Sequence, residues 1–163
     1  MIPTYRTILY ATDLSPNAAH AFRHALGIAR CHDANIHILH VLPEMDAATV
    51  NYVATVMGEE RFADLELEHE SEVAEKIRKR LADFVREELA GRDEETERVA
   101  GIEVHHGPPA LGILEAAERL GADLVVMGSH GKGLLKHAFL GSVAERVLRK
   151  APSPIMVVPL PRS

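Results

Sequence analysis

With 163 residues, 47% of them hydrophobic, the chain has enough apolar material for one domain with a real core, which excludes overall disorder. A formal net charge of −6 excludes broad electrostatic attraction to nucleic acid or to anionic lipid, so any phosphate must be held locally. Cys31 is the single cysteine, which rules out an intrachain disulfide and a thiolate metal cluster, and no apolar run approaches the roughly 20 residues of a membrane helix. The N-terminal residues show no secretory pattern, so the expected location is the cytoplasm, with neither membrane nor nucleic acid as partner.

Thr7 to Ala11 (TILYA) is a short β-favouring apolar run closed by Thr12-Asp13, and predicts a buried strand. Ser15-Pro16 supplies an N-cap residue and a first-turn proline, predicting a helix from there to about Arg30. Ala34 to Leu42 reads as a second strand ending at Pro43. Glu44 to about Gly58 has moderate apolar content and little turn chemistry, and reads equally as loop or lid. From Glu59 to Ala90 the pattern is a long amphipathic helix whose stripe contains Phe62, Leu65, Val73, Ile77, Leu81, Phe84 and Val85. Its other faces mix opposite charges, as a solvated helix surface does.

Gly91 to Arg98 is polar and predicts a loop before a third strand at Gly101 to His106. A helix is expected from Ala110 to Leu120, ended by Gly121, then a fully buried strand at Asp123 to Met127. A glycine-containing loop spans Gly128 to Leu140, a helix Ser142 to Lys150, and a fifth strand Pro154 to Val158. Strands alternating with helices imply an α/β fold with a doubly wound parallel sheet and right-handed crossovers.

The chemistry concentrates in Gly128-Ser129-His130-Gly131-Lys132-Gly133, directly after a buried strand, and in Gly141-Ser142 at the start of a helix. Glycines permit positive φ and close backbone approach to an anion, and the first N–H groups of a helix have no intrahelical partner. The arrangement is a candidate phosphate cradle. It is not a Walker A loop, because Leu134 follows Gly133 where lysine is required, and it is not Gly-x-Gly-x-x-Gly, because Lys136 stands at the third glycine position. Asp13 and Gly128 both fall at carboxyl ends of predicted strands, where doubly wound sheets bind ligands, and a carboxylate there can accept hydrogen bonds from a ribose or an amino group.

Gly128-x-x-Gly131, nine residues, then Gly141-Ser142 resembles the ATP-binding pattern of the universal stress protein family, and the flanking VVMGSHGKG, LGSVAERVL, PSPIMVVP and LYATDLS are similar to that family. The resemblance covers residues 1–163 as one domain, apart from a variable helical or loop segment at about 44–98. It implies a five-stranded sheet of order 3-2-1-4-5 with a nucleotide between the first and fourth strands. Carried over by motif position, Asp13 faces the ribose or adenine, and the backbone at Ala11 and Val41 borders the base. Gly128, Ser129, His130, Gly131, Lys132, Gly141, Ser142 and Val143 surround the phosphates, with Lys132 adding charge and Ser142 offering its hydroxyl to an oxygen or to a bound Mg or Mn ion. Ala144 stands where some relatives carry a hydroxyl residue. The implied function is that of an ATP-binding, nucleotide-dependent regulatory or stress-response module. It is expected to form a homodimer through Ile155 to Val158, an apolar edge strand unprotected by charge, and to meet a protein partner that the residues do not identify.

Ten histidines raise a metal reading, with His37, His40, His105, His106 and His130 as candidates. Strand alternation sends His37 and His40 to opposite faces, and likewise His105 and His106, while no helical His-x-x-x-His pair lies where it would complete a site of three or four ligands. No side-chain metal site is expected. For hydrolysis the chain offers Asp13, His130 and Ser142 without a visible relay, so binding is expected over catalysis. A slow ATP-hydrolysing enzyme and a nucleotide-independent factor acting through its dimer surface stand as alternatives.

Overall fold

The computed structural model describes residues 1–129 and 140–159. The apolar runs form strands β1 (Thr7–Ala11), β2 (Asn35–Leu42), β3 (Val99–His106), β4 (Leu124–Gly128) and β5 (Ile155–Val158). They assemble into one parallel sheet of order β3-β2-β1-β4-β5, the doubly wound order expected. The helices are α1 (Ala18–His32), α2 (Ala47–Met57), α3 (Glu59–Glu88), α4 (Asp93–Glu97), α5 (Pro109–Leu120) and α6 (Ser142–Lys150).

Each central strand is apolar on both faces because each face is covered. Ile8 and Tyr10 of β1, Ile36 and Ile38 of β2, and Leu124 and Val126 of β4 pack against α1 and α3. The alternate residues Leu9 and Ala11, Leu39 and Val41, and Val125 and Met127 pack against α5 and α6. Period two thus places Ala11, Val41 and Met127 together at the carboxyl end of one face. On the other face Phe22 lies between Tyr10 and Phe84, 5.4 Å from each ring, and ties α1 to both sheet and α3.

Tyr10 is buried, and its hydroxyl donates to the Ala18 carbonyl at 2.6 Å. Burial above all pushes its phenol from 10.0 up to about 12. The folded state therefore keeps the neutral phenol where an unfolded chain would ionise it. This contribution is whole below pH 10.0 and fades as pH climbs from there to about 12. An absorbance titration should show one tyrosine ionising near pH 12, and Tyr10→Phe should remove that late step.

The structure departs from the sequence reading at several ends. Ser15 and Pro16 do not open α1: the helix begins at Ala18, and Asn17 occupies the cap position without a side-chain cap bond. Ser15 gives its backbone N–H to Asp13 Oδ1 at 2.9 Å and its carbonyl accepts Ala18 N at 3.0 Å, so residues 15–18 form a turn that leads into the helix. Glu44 to Gly58, open between loop and lid, contains α2, capped by Asp46 through Thr49 N at 2.9 Å, with no residue buried. The expected loop at Gly91 to Arg98 contains the short α4, whose first turn carries Asp93, Glu94 and Glu95 at the favourable end of the helix dipole. In α3, Phe62, Leu81 and Val85 are buried as expected, but Leu65 is exposed because only the later turns lie on the sheet. Asp123 precedes β4 rather than starting it, and its carboxylate accepts the N–H groups of Arg6 at 2.8 Å and Thr7 at 2.9 Å.

Among the described residues, no helix is long and apolar enough to cross a membrane.

Candidate functional site

The strand order reverses between β1 and β4, the place where a doubly wound sheet opens a crevice at the carboxyl ends of its strands. That crevice opens into a cavity of about 780 Å³. Ala11, Asp13, Val41, Gly128, Ser129, Gly141, Ser142 and Val143 all line it. Eight of the eleven site residues expected from sequence therefore meet in one place. His130, Gly131 and Lys132 lie outside the described residues.

Three chemically distinct walls meet there. The first is apolar: Ala11, Val41, Ile113 and Met127 belong to the cluster under α5 and α6 and line the cavity with hydrocarbon. The second is the turn after β1. Thr12 N donates to Leu39 O at 2.9 Å, Thr12 O lies 2.7 Å from His40 Nδ1, and Thr12 Oγ1 accepts Leu14 N at 3.1 Å. Because a carbonyl only accepts, His40 carries its proton on Nδ1. Leu14 is held at φ 61°, a left-handed conformation that costs a non-glycine residue about 1–3 kcal/mol and persists where neighbours enforce it. The result fixes Asp13: Oδ1 accepts from Ser15 N, whereas Oδ2 is buried with no hydrogen-bond partner among the described residues. An unmatched buried carboxylate oxygen is costly unless a ligand supplies the donor.

The third wall is the N-terminus of α6. Gly141 N donates to Ser129 O at 2.6 Å and Ser129 N to Val158 O at 2.8 Å, which staples this helix start to the ends of β4 and β5. Gly141 occupies the cap position with no side-chain cap bond. The first N–H groups of α6 and the positive end of its dipole therefore lie along the cavity wall formed by Gly141, Ser142, Val143 and Ala144. Gly141 has φ −67° and ψ 155°, open to any residue, so a left-handed turn is not the reason for glycine at this position. Ala144 is buried against α5 and faces the core, in keeping with a small apolar residue there.

Two contributors escaped the sequence reading. Gly112 of α5 lies so close to β2 that a Cβ there would stand 2.9 Å from Val41 Cγ2. A glycine inside an otherwise good helix pattern was the available signal. The cavity also reaches the other sheet face, where His20 of α1 with Ile77 and Arg80 of α3 line it. Nothing in local sequence brings α3 to that cavity. Of the candidate metal ligands, His40 is engaged with Thr12, and no cluster of three or more metal-ligating side chains occurs among the described residues.

The model of the universal stress protein family matches residues 4–159, nearly the whole chain. The chain belongs to the universal stress protein family. Among its relatives are two from Methanocaldococcus jannaschii. Universal stress protein MJ0531 is 33% identical, with 97% of this chain and 84% of the relative covered. Universal stress protein MJ0577 is 31% identical, with 94% of each chain covered. The solved structure of MJ0577 superposes with a TM-score of 0.66 at 29% identity over 99% of this chain and 100% of the other. The universal stress protein UspA from Lactobacillus plantarum, 24% identical over 96% of this chain and 99% of the other, superposes with a TM-score of 0.64 and shares the fold. In this universal stress protein, the family's sheet order thus carries a cleft with one apolar, one carboxylate and one anion-seeking wall.

Proposed function

We propose that this universal stress protein is a nucleotide-dependent regulatory module that binds ATP in the cleft between β1 and β4. The observation that carries this reading is the buried Oδ2 of Asp13, without a hydrogen-bond partner among the described residues and set in the same cavity as the start of α6, which has no side-chain cap. A nucleoside triphosphate has what each wall lacks. Its base covers Ala11, Val41, Ile113 and Met127, its ribose hydroxyl or amino group donates to Asp13 Oδ2, and its phosphates accept from the first N–H groups of α6. The cavity of about 780 Å³ lies within the roughly 300–1,000 Å³ of small-molecule sites. Ser142 sits where its hydroxyl can complete the shell of a Mg or Mn ion carried by the phosphates, and Lys132 and His130 add to the same end by sequence position.

Bound ATP stabilises the folded chain by about 2.7 kcal/mol at 100 times its Kd, which couples occupancy to the surface offered to a partner. With a net charge of −6 and a lone cysteine, a cytoplasmic protein partner suits it better than nucleic acid. Mass spectrometry of small molecules released from freshly purified protein should find an adenine nucleotide. In calorimetric titration, Asp13→Ala should lower ATP affinity by roughly 10–150-fold, the 1.5–3 kcal/mol of a hydrogen bond to a charged group. Unchanged affinity in the folded variant would overturn the site. Multiple turnover above about 1 per second would instead favour the enzyme reading.

The same reading includes a homodimer paired through β5, the terminal strand of the sheet beyond β4. Ile155 and Val157 pack partly on the core beneath α6, so a lysine there must keep its stem on that surface. Val157→Lys should sediment as a folded monomer, with circular dichroism as the control for folding. A folded variant as dimeric as wild type rules this edge out.

A further inference from the structure

His20 and His24 are four residues apart on α1, and their rings stand 4.9 Å apart, centroid to centroid, at 83°. Side chains at this spacing share one helix face. The buried residues of α1 are Ala21, Phe22, Ala25, Leu26 and Ala29, so the two imidazoles lie on the side turned away from the sheet. His24 is exposed and His20 half-buried, and His20 alone of the two lines the cleft. Core packing does not require this pair, and the proposed contacts to ATP do not include it.

We propose that His20 and His24 form a bidentate site for a divalent transition cation of the zinc, copper and nickel class, to which imidazole is suited. A ligating ring nitrogen lies about 2.1 Å from such an ion, with the ring centre roughly 1.2 Å behind it. Two rings converging on one ion at a near-tetrahedral angle then have centroids about 5.4 Å apart. The observed 4.9 Å is about half an ångström shorter, a difference that the side-chain torsions can take up. Helical His-x-x-x-His is also the spacing by which two imidazoles bind zinc in metalloprotease helices. Since no cluster of three or more ligating side chains occurs among the described residues, the remaining positions go to water or to a small anion. The site is exchangeable, unlike a closed structural centre with four protein ligands.

The chain contains ten histidines, so the test needs variants. Untagged protein titrated with Zn²⁺ in a calorimeter should take up one ion per chain at its tightest site. His20→Ala and His24→Ala should each weaken that site at least tenfold, and the double variant should be little worse than either, because a chelate fails when one arm is lost. Both positions are on the outer face, and circular dichroism should show both variants folded. The paramagnetic spectrum of the Cu²⁺-loaded protein should show two coordinated imidazole nitrogens, reduced to one in His24→Ala. His24 does not line the cleft, so His24→Ala should titrate with ATP as wild type does. Absence of stoichiometric Zn²⁺ uptake, or uptake that either single variant leaves undiminished, would show that the two rings only stack on each other.

Discussion

A Gly141→Asp variant is expected to be at least as stable as wild type and yet to lose ATP binding by 100-fold or more. Gly141 caps α6 at φ −67° and ψ 155°, a backbone that aspartate adopts without strain. An aspartate at that position accepts from the N–H of the second or third helical residue, Val143 or Ala144, and gains a few tenths of a kcal/mol over glycine. It does so by placing its own carboxylate on the donors that the proposed phosphate needs. Losing two charge-assisted hydrogen bonds removes about 3–6 kcal/mol, and each 1.4 kcal/mol is tenfold in affinity. Like-charge repulsion adds to the loss. Stability and binding thus move in opposite directions, which separates damage to the site from damage to the fold. Gly141→Val is the companion: it crowds the same donors without supplying a cap, and should weaken both. Thermal melts beside calorimetric ATP titrations decide the matter. Retained affinity in Gly141→Asp would place the phosphates elsewhere.

The second large effect is expected at Gly112. In an ordinary helix interior, alanine in place of glycine gains about 0.5–1 kcal/mol. Here the added Cβ would stand 2.9 Å from Val41 Cγ2 and 3.2 Å from Cγ1, both parts of a stiff β-branched side chain in a packed core. Overpacking of this kind typically costs about 1–3 kcal/mol, enough to reverse the sign. Gly112→Ala should therefore destabilise the protein, and because Val41 is displaced it should also weaken binding of adenosine alone. In a Val41→Ala background the clash is gone, and Gly112→Ala should become neutral or stabilising. The expected coupling in this double-mutant cycle is about 1–3 kcal/mol. Additive effects measured by denaturant unfolding would mean that α5 shifts away from β2 at little cost.

These two residues also mark the line between what the chain spells out locally and what it does not. Strands such as LVVM and TILYA were legible because burial on both faces demands continuous apolar runs, and that demand follows from a parallel sheet wedged between helices. Asp13, Gly128 and Gly141 were legible as candidates because strand ends and helix starts carry recognisable chemistry at short range, and the cavity brings those three together. Ser15-Pro16 carries start-of-helix chemistry, yet α1 begins at Ala18, because Ser15 to Ala18 close a turn whose geometry is set with Asp13 before the helix opens. Leu65 fits the helical stripe of α3 but reaches no sheet, since periodicity gives a face and not the distance to what that face meets.

The sequence by itself determined the alternation of elements, the parallel doubly wound class and the residue types at the strand ends, because each depends on neighbours a few positions away. Only the tertiary structure decided that Gly112 must be small, that Arg80 and His20 line the same cleft, and that Asp13 keeps one oxygen buried and unmatched among the described residues. Those facts depend on the closeness of α5 to β2, on the packing of α3 and α1 over the sheet, and on which donors of a turn are already used. Such distances are set by the packing of segments tens of residues apart, and no local pattern encodes them.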